Sequence, residues 1–111
     1  MISQRDIVLL SFPFSDLKSS KVRPAIVVSN DVYNKKSEDM IVVPMTSNLK
    51  LYEYAILVTD SNLESGKLIA DSKVKVDRIF SVSQKLVRIK IGKVKKETYE
   101  LIKKMILELI E

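Results

Sequence analysis

Residues 21–30 read KVRPAIVVSN. A guanidinium and a proline lead into four consecutive apolar residues and then into two polar turn formers. A short apolar run bounded in this way has the signature of a buried strand. Such a strand has little use for a guanidinium, so Arg23 belongs at its entrance. The residue before a proline is pushed toward extended backbone, and Pro24 has no N–H to donate. Together they make a strand start from which Arg23 projects in a set direction. The strand is expected over 23–30.

Outward from there, residues 6–12 (DIVLLSF) form a second run of strand length, ended by Pro13. Residues 14–20 (FSDLKSS) are turn formers and predict a surface loop. Residues 40–46 (MIVVPMT) predict a strand holding Pro44, which marks an edge, a bulge or a strand end. A strand is expected over 54–59 and a turn over 60–66 (DSNLESG). Across 68–76, Leu68, Ala70, Ser72, Val74 and Val76 alternate with Ile69, Asp71, Lys73 and Lys75, a period of two with one polar face. A short strand over 87–91 ends at Gly92.

From residue 95 the period changes. Lys96, Glu97, Glu100, Lys103, Lys104, Glu108 and Glu111 make a polar stripe; Leu101, Ile102, Met105, Ile106, Leu109 and Ile110 cover the other side of a helix. Glu100 and Lys104 are spaced for an i,i+4 pair, and no good N-cap residue precedes the helix. Six short strands and one helix predict a small, curled, mostly antiparallel barrel with the helix packed on it. The 111 residues suit one domain, 1–111, without repeat or linker.

Apolar residues make up 46% of the chain and charged residues 30%, an ordinary globular composition. No apolar run reaches the ~20 residues of a membrane span. No export signal is read at the N-terminus and cysteine is absent, so the expected location is cytoplasmic. Without His or Cys, the common zinc and iron–sulfur sites have no ligands. With only Gly66 and Gly92, no glycine-rich phosphate loop can form. The net charge of +5 is uneven. Residues 73–104 carry eleven Lys/Arg against three carboxylates, a bias that suits a polyanionic partner.

Three features carry chemistry. Arg23 offers permanent charge and five donors suited to phosphate oxygens. Pro44 is followed by Thr46, Ser47 and Asn48, three small polar side chains that also favour a turn. Asp71, Lys73, Lys75 and Asp77 form a polar face that suits either phosphate or internal ion pairs. Asp71-Ser72-Lys73 also fits half of a metal-dependent nuclease motif, but its usual Pro-Asp companion does not occur.

With these residues in place, the chain resembles the MazF/PemK/Kid toxins of bacterial toxin–antitoxin systems. The resemblance rests on Arg5-Asp6-Ile7-Val8 with Phe12-Pro13, and on Arg23-Pro24-Ala25-Ile26-Val27-Val28-Ser29-Asn30-Asp31 with Tyr33-Asn34. It continues through Val42-Val43-Pro44-Met45-Thr46-Ser47, Gly66-Lys67-Leu68, Asp71-Ser72, Val76-Asp77-Arg78-Ile79 and Ile91-Gly92-Lys93. It implies an SH3-like antiparallel barrel with a C-terminal helix, a homodimer, and a cognate antitoxin as partner. It also implies cleavage of single-stranded RNA, without metal or other cofactor, by attack of the 2′-OH on phosphorus. Arg23 falls on the family's main catalytic arginine, Thr46 on its assisting threonine, and Asp71 on an aspartate that some members add. Ser47, Asn48 and Lys73 join these as expected RNA contacts. The loop over 14–20 corresponds to a segment that helps form the RNA site, which brings in Phe14, Lys18, Ser19 and Lys21. Phe14, Tyr52 and Tyr54 are candidates for base stacking, a role that competes with core packing.

The chain departs from the family at two places. Ile69 stands where some members carry an arginine, and Lys18 or a neighbour where some carry a glutamate. These leave a second reading: a non-catalytic superfamily member that binds nucleic acid or a protein target. Within it, CcdB-like gyrase inhibitors act through a C-terminal Trp-Gly-Ile, and this chain has no tryptophan. The catalytic reading requires the Arg23 guanidinium and the Thr46 hydroxyl to converge on one water-accessible hollow.

Overall fold

The computed structural model describes residues 1–12 and 21–111. The strands are β1 (Asp6–Phe12), β2 (Lys21–Val27), β3 (Asp39–Thr46), β4 (Ala55–Val58), β5 (Leu63–Gly66), β6 (Ser72–Lys75), β7 (Phe80–Ser83) and β8 (Val87–Val94). Helix α1 (Asp31–Lys36) follows β2, and helix α2 (Lys96–Ile110) closes the chain. The strands form one curled sheet in the order β4-β6-β3-β2-β1-β8-β5, with β7 paired to β3. The recorded pairings are all antiparallel.

Both faces of the central strands are covered. Ile7, Ile26, Val43 and Met45 face one cluster with Val74, Val76, Val94 and Ile102 of α2. Val8, Leu10, Ala25, Val27, Met40 and Val42 face a second cluster, closed by Phe80, Val82, Leu86 and Val87. A strand buried on both sides reads as a continuous apolar run instead of an alternating one, which is why β1, β2 and β3 look as they do in sequence.

Helix α2 buries Ile102 and rests Tyr99, Met105, Ile106 and Leu109 on the first cluster. Those residues recur at helical spacing on one stripe. Leu101 and Ile110, expected on the buried side, are 56% and 73% exposed because they fall on the two flanks of that stripe, roughly a quarter turn from Ile102. Glu100 pairs with Lys103 at 4.0 Å, not with Lys104. Lys95 precedes the helix without a side-chain cap bond, as its sequence suggests.

Other boundaries also differ from expectation. β2 ends at Val27, and Asn30 caps α1 by accepting the Tyr33 N–H at 2.8 Å. The expected turn over 60–66 contains a 3-10 turn, Asp60–Asn62, and then β5. The strand expected over 68–76 shrinks to Ser72–Lys75 and passes into a second 3-10 turn. β8 runs through Gly92 to Val94. β7 and α1 were not foreseen.

β5 and β8 meet at two glycines. At Gly66 (φ +83°) an added Cβ would lie 2.1 Å from the Ile91 carbonyl oxygen and 2.4 Å from the Gly92 Cα. Gly66→Ala therefore combines a left-handed backbone with a backbone clash, and is expected to cost about 2 kcal/mol or more. Thermal unfolding should show a midpoint roughly 8 °C lower; an unchanged midpoint would contradict this packing.

The Tyr99 hydroxyl ties α2 to the sheet, donating to Val28 O (3.0 Å) and accepting from Gln4 Nε2 (2.8 Å). Burial raises its pKa above the ordinary 10.0, Glu100 adds to the rise, and the Gln4 bond opposes it. The fold thus favours the neutral phenol. That stability is complete below pH ~10 and is lost as pH rises through the higher folded value. In denaturant titrations across this range, Tyr99→Phe should lose less stability than the natural protein.

Candidate active site

β2 and β3 part company at a defined point. Bonded and non-bonded pairs alternate along an antiparallel ladder. Val28 donates to Ile41 O (2.9 Å), so Ile26–Val43 is a bonded pair and Ala25–Pro44 is not. The Pro44 nitrogen therefore faces the opposite edge of β3. There the partner changes from β7, whose last pair is Val42–Phe80, to β6, whose first is Met45–Val74. A proline inside an eight-residue strand costs little at such a changeover. The next bonded pair between β2 and β3 would need Pro24 to donate, and it cannot. The recorded ladder stops at Ala25–Pro44, although β2 reaches back to Lys21 and β3 runs on to Thr46.

Just beyond the last pair stand Arg23 and Thr46. Continuing the register would set them opposite each other, and alternation puts both on the face of Ala25 and Pro44. Arg23 is exposed, held by the pairing of its backbone with Leu10 of β1. Among the described residues no carboxylate pairs with its guanidinium. Thr46 is opposite Lys73 of β6, their Cα atoms about 5 Å apart. Thr46 Oγ1 accepts the Asn48 N–H at 3.2 Å, which leaves the hydroxyl proton to donate. Lys73 Nζ spends one proton on Lys50 O (3.0 Å) and keeps two.

Asp71, just before β6, and Ser47 and Asn48, just after β3, are exposed at the same rim. Among the described residues Asp71, Lys73, Lys75 and Asp77 form no ion pair with one another. A hollow of about 170 Å³ opens nearby, lined by Pro24, Ser47, Leu68, Ile69, Ala70, Ser72 and Ile91. Pro24 and Ser47 adjoin Arg23 and Thr46 in sequence, but alternation turns them to the face of the first cluster, with Leu68 and Ile91. Neither Arg23 nor Thr46 lines this hollow, so the convergence on one hollow that the catalytic reading requires is not found there. Phe14, Lys18, Ser19 and the side chain of Lys21 lie outside the described residues. Among the described residues no group of three or more acidic side chains gathers as a metal site would need.

The Ser29-Asn30-Asp31 stretch has a different job. Asn34 Nδ2 donates to Ser29 O (3.0 Å), the Ser29 hydroxyl donates to Asn34 Oδ1, and Ile41 N donates to Ser29 Oγ (3.0 Å). Gln84 Nε2 reaches the carbonyls of Asn34, Ser37 and Asp39 at 2.8–3.1 Å. This network staples α1 between β2 and β3.

A family model for the PemK-like, MazF-like toxin of type II toxin–antitoxin systems matches residues 3–110. The chain belongs to this family. Among solved structures, the toxin is similar to an endoribonuclease in complex with its cognate antitoxin from a Mycobacterial species, at 14% identity and TM-score 0.79, covering 99% of this chain and 95% of that one. It is similar to MazE–MazF from Deinococcus radiodurans at 20% identity and TM-score 0.79, covering 98% and 95%. Mycobacterium tuberculosis toxin MazF-mt6 gives 18% identity and TM-score 0.75, covering 96% of each chain. At these identities the likeness is one of fold. No curated protein matches the sequence significantly.

The toxin's two polar groupings should respond differently to truncation. Asn34→Ala strips a buried network of its amide and should cost about 2 kcal/mol in chemical denaturation. Arg23→Ala, at an exposed strand entrance, should stay within about 0.5 kcal/mol of the natural protein. The reverse order would mean that Arg23 serves the fold.

Proposed function

We propose that this toxin is a sequence-specific, metal-independent endoribonuclease acting on single-stranded RNA. The RNA 2′-OH attacks the adjacent phosphorus, the P–O5′ bond breaks, and the products are a 2′,3′-cyclic phosphate and a 5′-hydroxyl. The reaction needs a group to take the 2′-OH proton, one to protonate the leaving oxygen, and positive charge on the phosphorane. Arg23 supplies that charge, Thr46 donates its hydroxyl proton to a phosphoryl oxygen, and Lys73 adds an ammonium beside it. Asp71 is the carboxylate nearest in sequence to this rim that can exchange a proton. Ser47, Asn48, Lys21 and the loop bearing Phe14, Lys18 and Ser19 complete the RNA contacts.

The single observation that supports this reading is Arg23, exposed past the end of the β2–β3 ladder with no carboxylate partner among the described residues. Acting in the cytoplasm as a homodimer, the toxin would be neutralised by a cognate antitoxin; one of the similar structures is named as an endoribonuclease in complex with its cognate antitoxin and another as MazE–MazF. Ile69, 83% exposed beside the hollow, is what favours the alternative of an inactive relative that binds without cutting.

Purified protein in EDTA, given a long single-stranded RNA, should produce fragments with 5′-hydroxyl ends. Arg23→Ala should slow this about 10²–10³-fold. Equal cutting by the variant would remove Arg23 from the mechanism, and cutting only with Mg²⁺ would replace the metal-free scheme. RNA binding without any cutting would favour the inactive relative. Affinity for RNA should fall as salt rises, through counterion release.

A further inference from the structure

Between Thr46 and β4 the chain passes through residues 47–54, and this segment is fastened onto the outer side of β6. Asn48 Oδ1 accepts the Lys50 N–H at 3.1 Å, setting the turn after Thr46. Lys73 Nζ then holds Lys50 O at 3.0 Å. Two residues further along β6, Lys75 Nζ stands 4.8 Å from the centre of the Tyr52 ring, and Lys50 Nζ stands 5.3 Å from it. Val74, between the two lysines, is fully buried against Met45 and Ile56, so Lys73 and Lys75 share the side of the sheet that carries Thr46.

Tyr52 belongs to neither core cluster. It is a partly accessible ring bracketed by two ammonium groups, in line with the proposed phosphate-binding residues. The step from Lys73 to Lys75 is about 6.6 Å along the strand, a distance on the scale of one nucleotide. Rings interleaved with lysines are how proteins hold single strands: bases stack on the ring and cations take the phosphates. A base stacked on tyrosine outranks an exposed ammonium–ring contact. A displaced lysine is then free to meet the phosphate that the base brings with it.

We infer that Tyr52, flanked by Lys50 and Lys75, is a stacking platform for a nucleobase of single-stranded RNA, one or more nucleotides from the bond that Arg23 and Thr46 address. This rests on the ribonuclease reading for the direction of the RNA, but its binding test does not depend on cleavage.

The test compares natural protein, Tyr52→Ala and Tyr52→Phe, each checked for an unchanged far-UV CD spectrum. Fluorescence anisotropy with a labelled 20-nucleotide poly(A) reads binding; initial rates on a long transcript in EDTA read KM and kcat. Tyr52→Ala should weaken poly(A) binding about tenfold and raise KM with kcat little changed, while Tyr52→Phe, which keeps the ring, should match the natural protein. Equal poly(A) affinity in Tyr52→Ala would overturn the platform. So would a Tyr52→Phe as weak as the alanine variant, since the hydroxyl would then be the contact. If the natural protein cuts no RNA yet loses poly(A) affinity on Tyr52→Ala, the platform stands and the ribonuclease reading falls.

Discussion

The arrangement depends on one missing hydrogen-bond donor. β2 and β3 are neighbours in the middle of the sheet, and two-sided burial would keep them zipped to their ends. Pro24 has no proton to offer Met45, and Pro44 turns its own nitrogen to the edge where β7 gives way to β6. Both strands keep their extended backbone, but the recorded pairing between them stops. A sheet interior is thereby converted into a rim. Arg23 and Thr46 sit on that rim with backbones fixed by their other neighbours, Leu10 and Lys73. Their backbones are held in place while Arg23 stays exposed, which is the placement the proposed reaction would call for.

The same topology explains what could be read from sequence. β1 was legible to the residue, because burial on both faces gives an unbroken apolar run and Pro13 ends it. α2 was legible because fifteen residues hold one period. α1 and β7 were not. Six residues, DVYNKK, are too few for a helical period to show. The helix is held by Ser29, Asn34 and Gln84, the last of them 50 positions away from Asn34. β7 has four residues and is defined by its pairing with β3. The alternation over 68–76 overran the strand because a period of two persists into an irregular approach and a 3-10 turn.

The candidate site was legible in part, and for a related reason. Arg-Pro is a local signal: the backbone consequence lies in the next residue. Thr46 after Pro44 is another. The Lys50, Tyr52 and Lys75 grouping has no such signature. Lys50 and Lys75 are 25 residues apart, and they meet at one ring because Lys73 anchors the intervening loop. The Ser29-Asn30-Asp31 stretch shows the converse: it is as conspicuous in sequence as Arg23, yet Ser29 and Asn30 are spent on holding a short helix.

A sheet packed on both sides has consequences for how such a protein can diversify. Its broad surfaces are committed to helix and curl, so a new ligand preference can be acquired only along the perimeter, at strand tips and connecting segments. Changes there leave the interior volumes untouched. The scaffold can therefore drift in what it recognises while its architecture stays put, in keeping with TM-scores of 0.79 against chains that share only 14–20% of their residues.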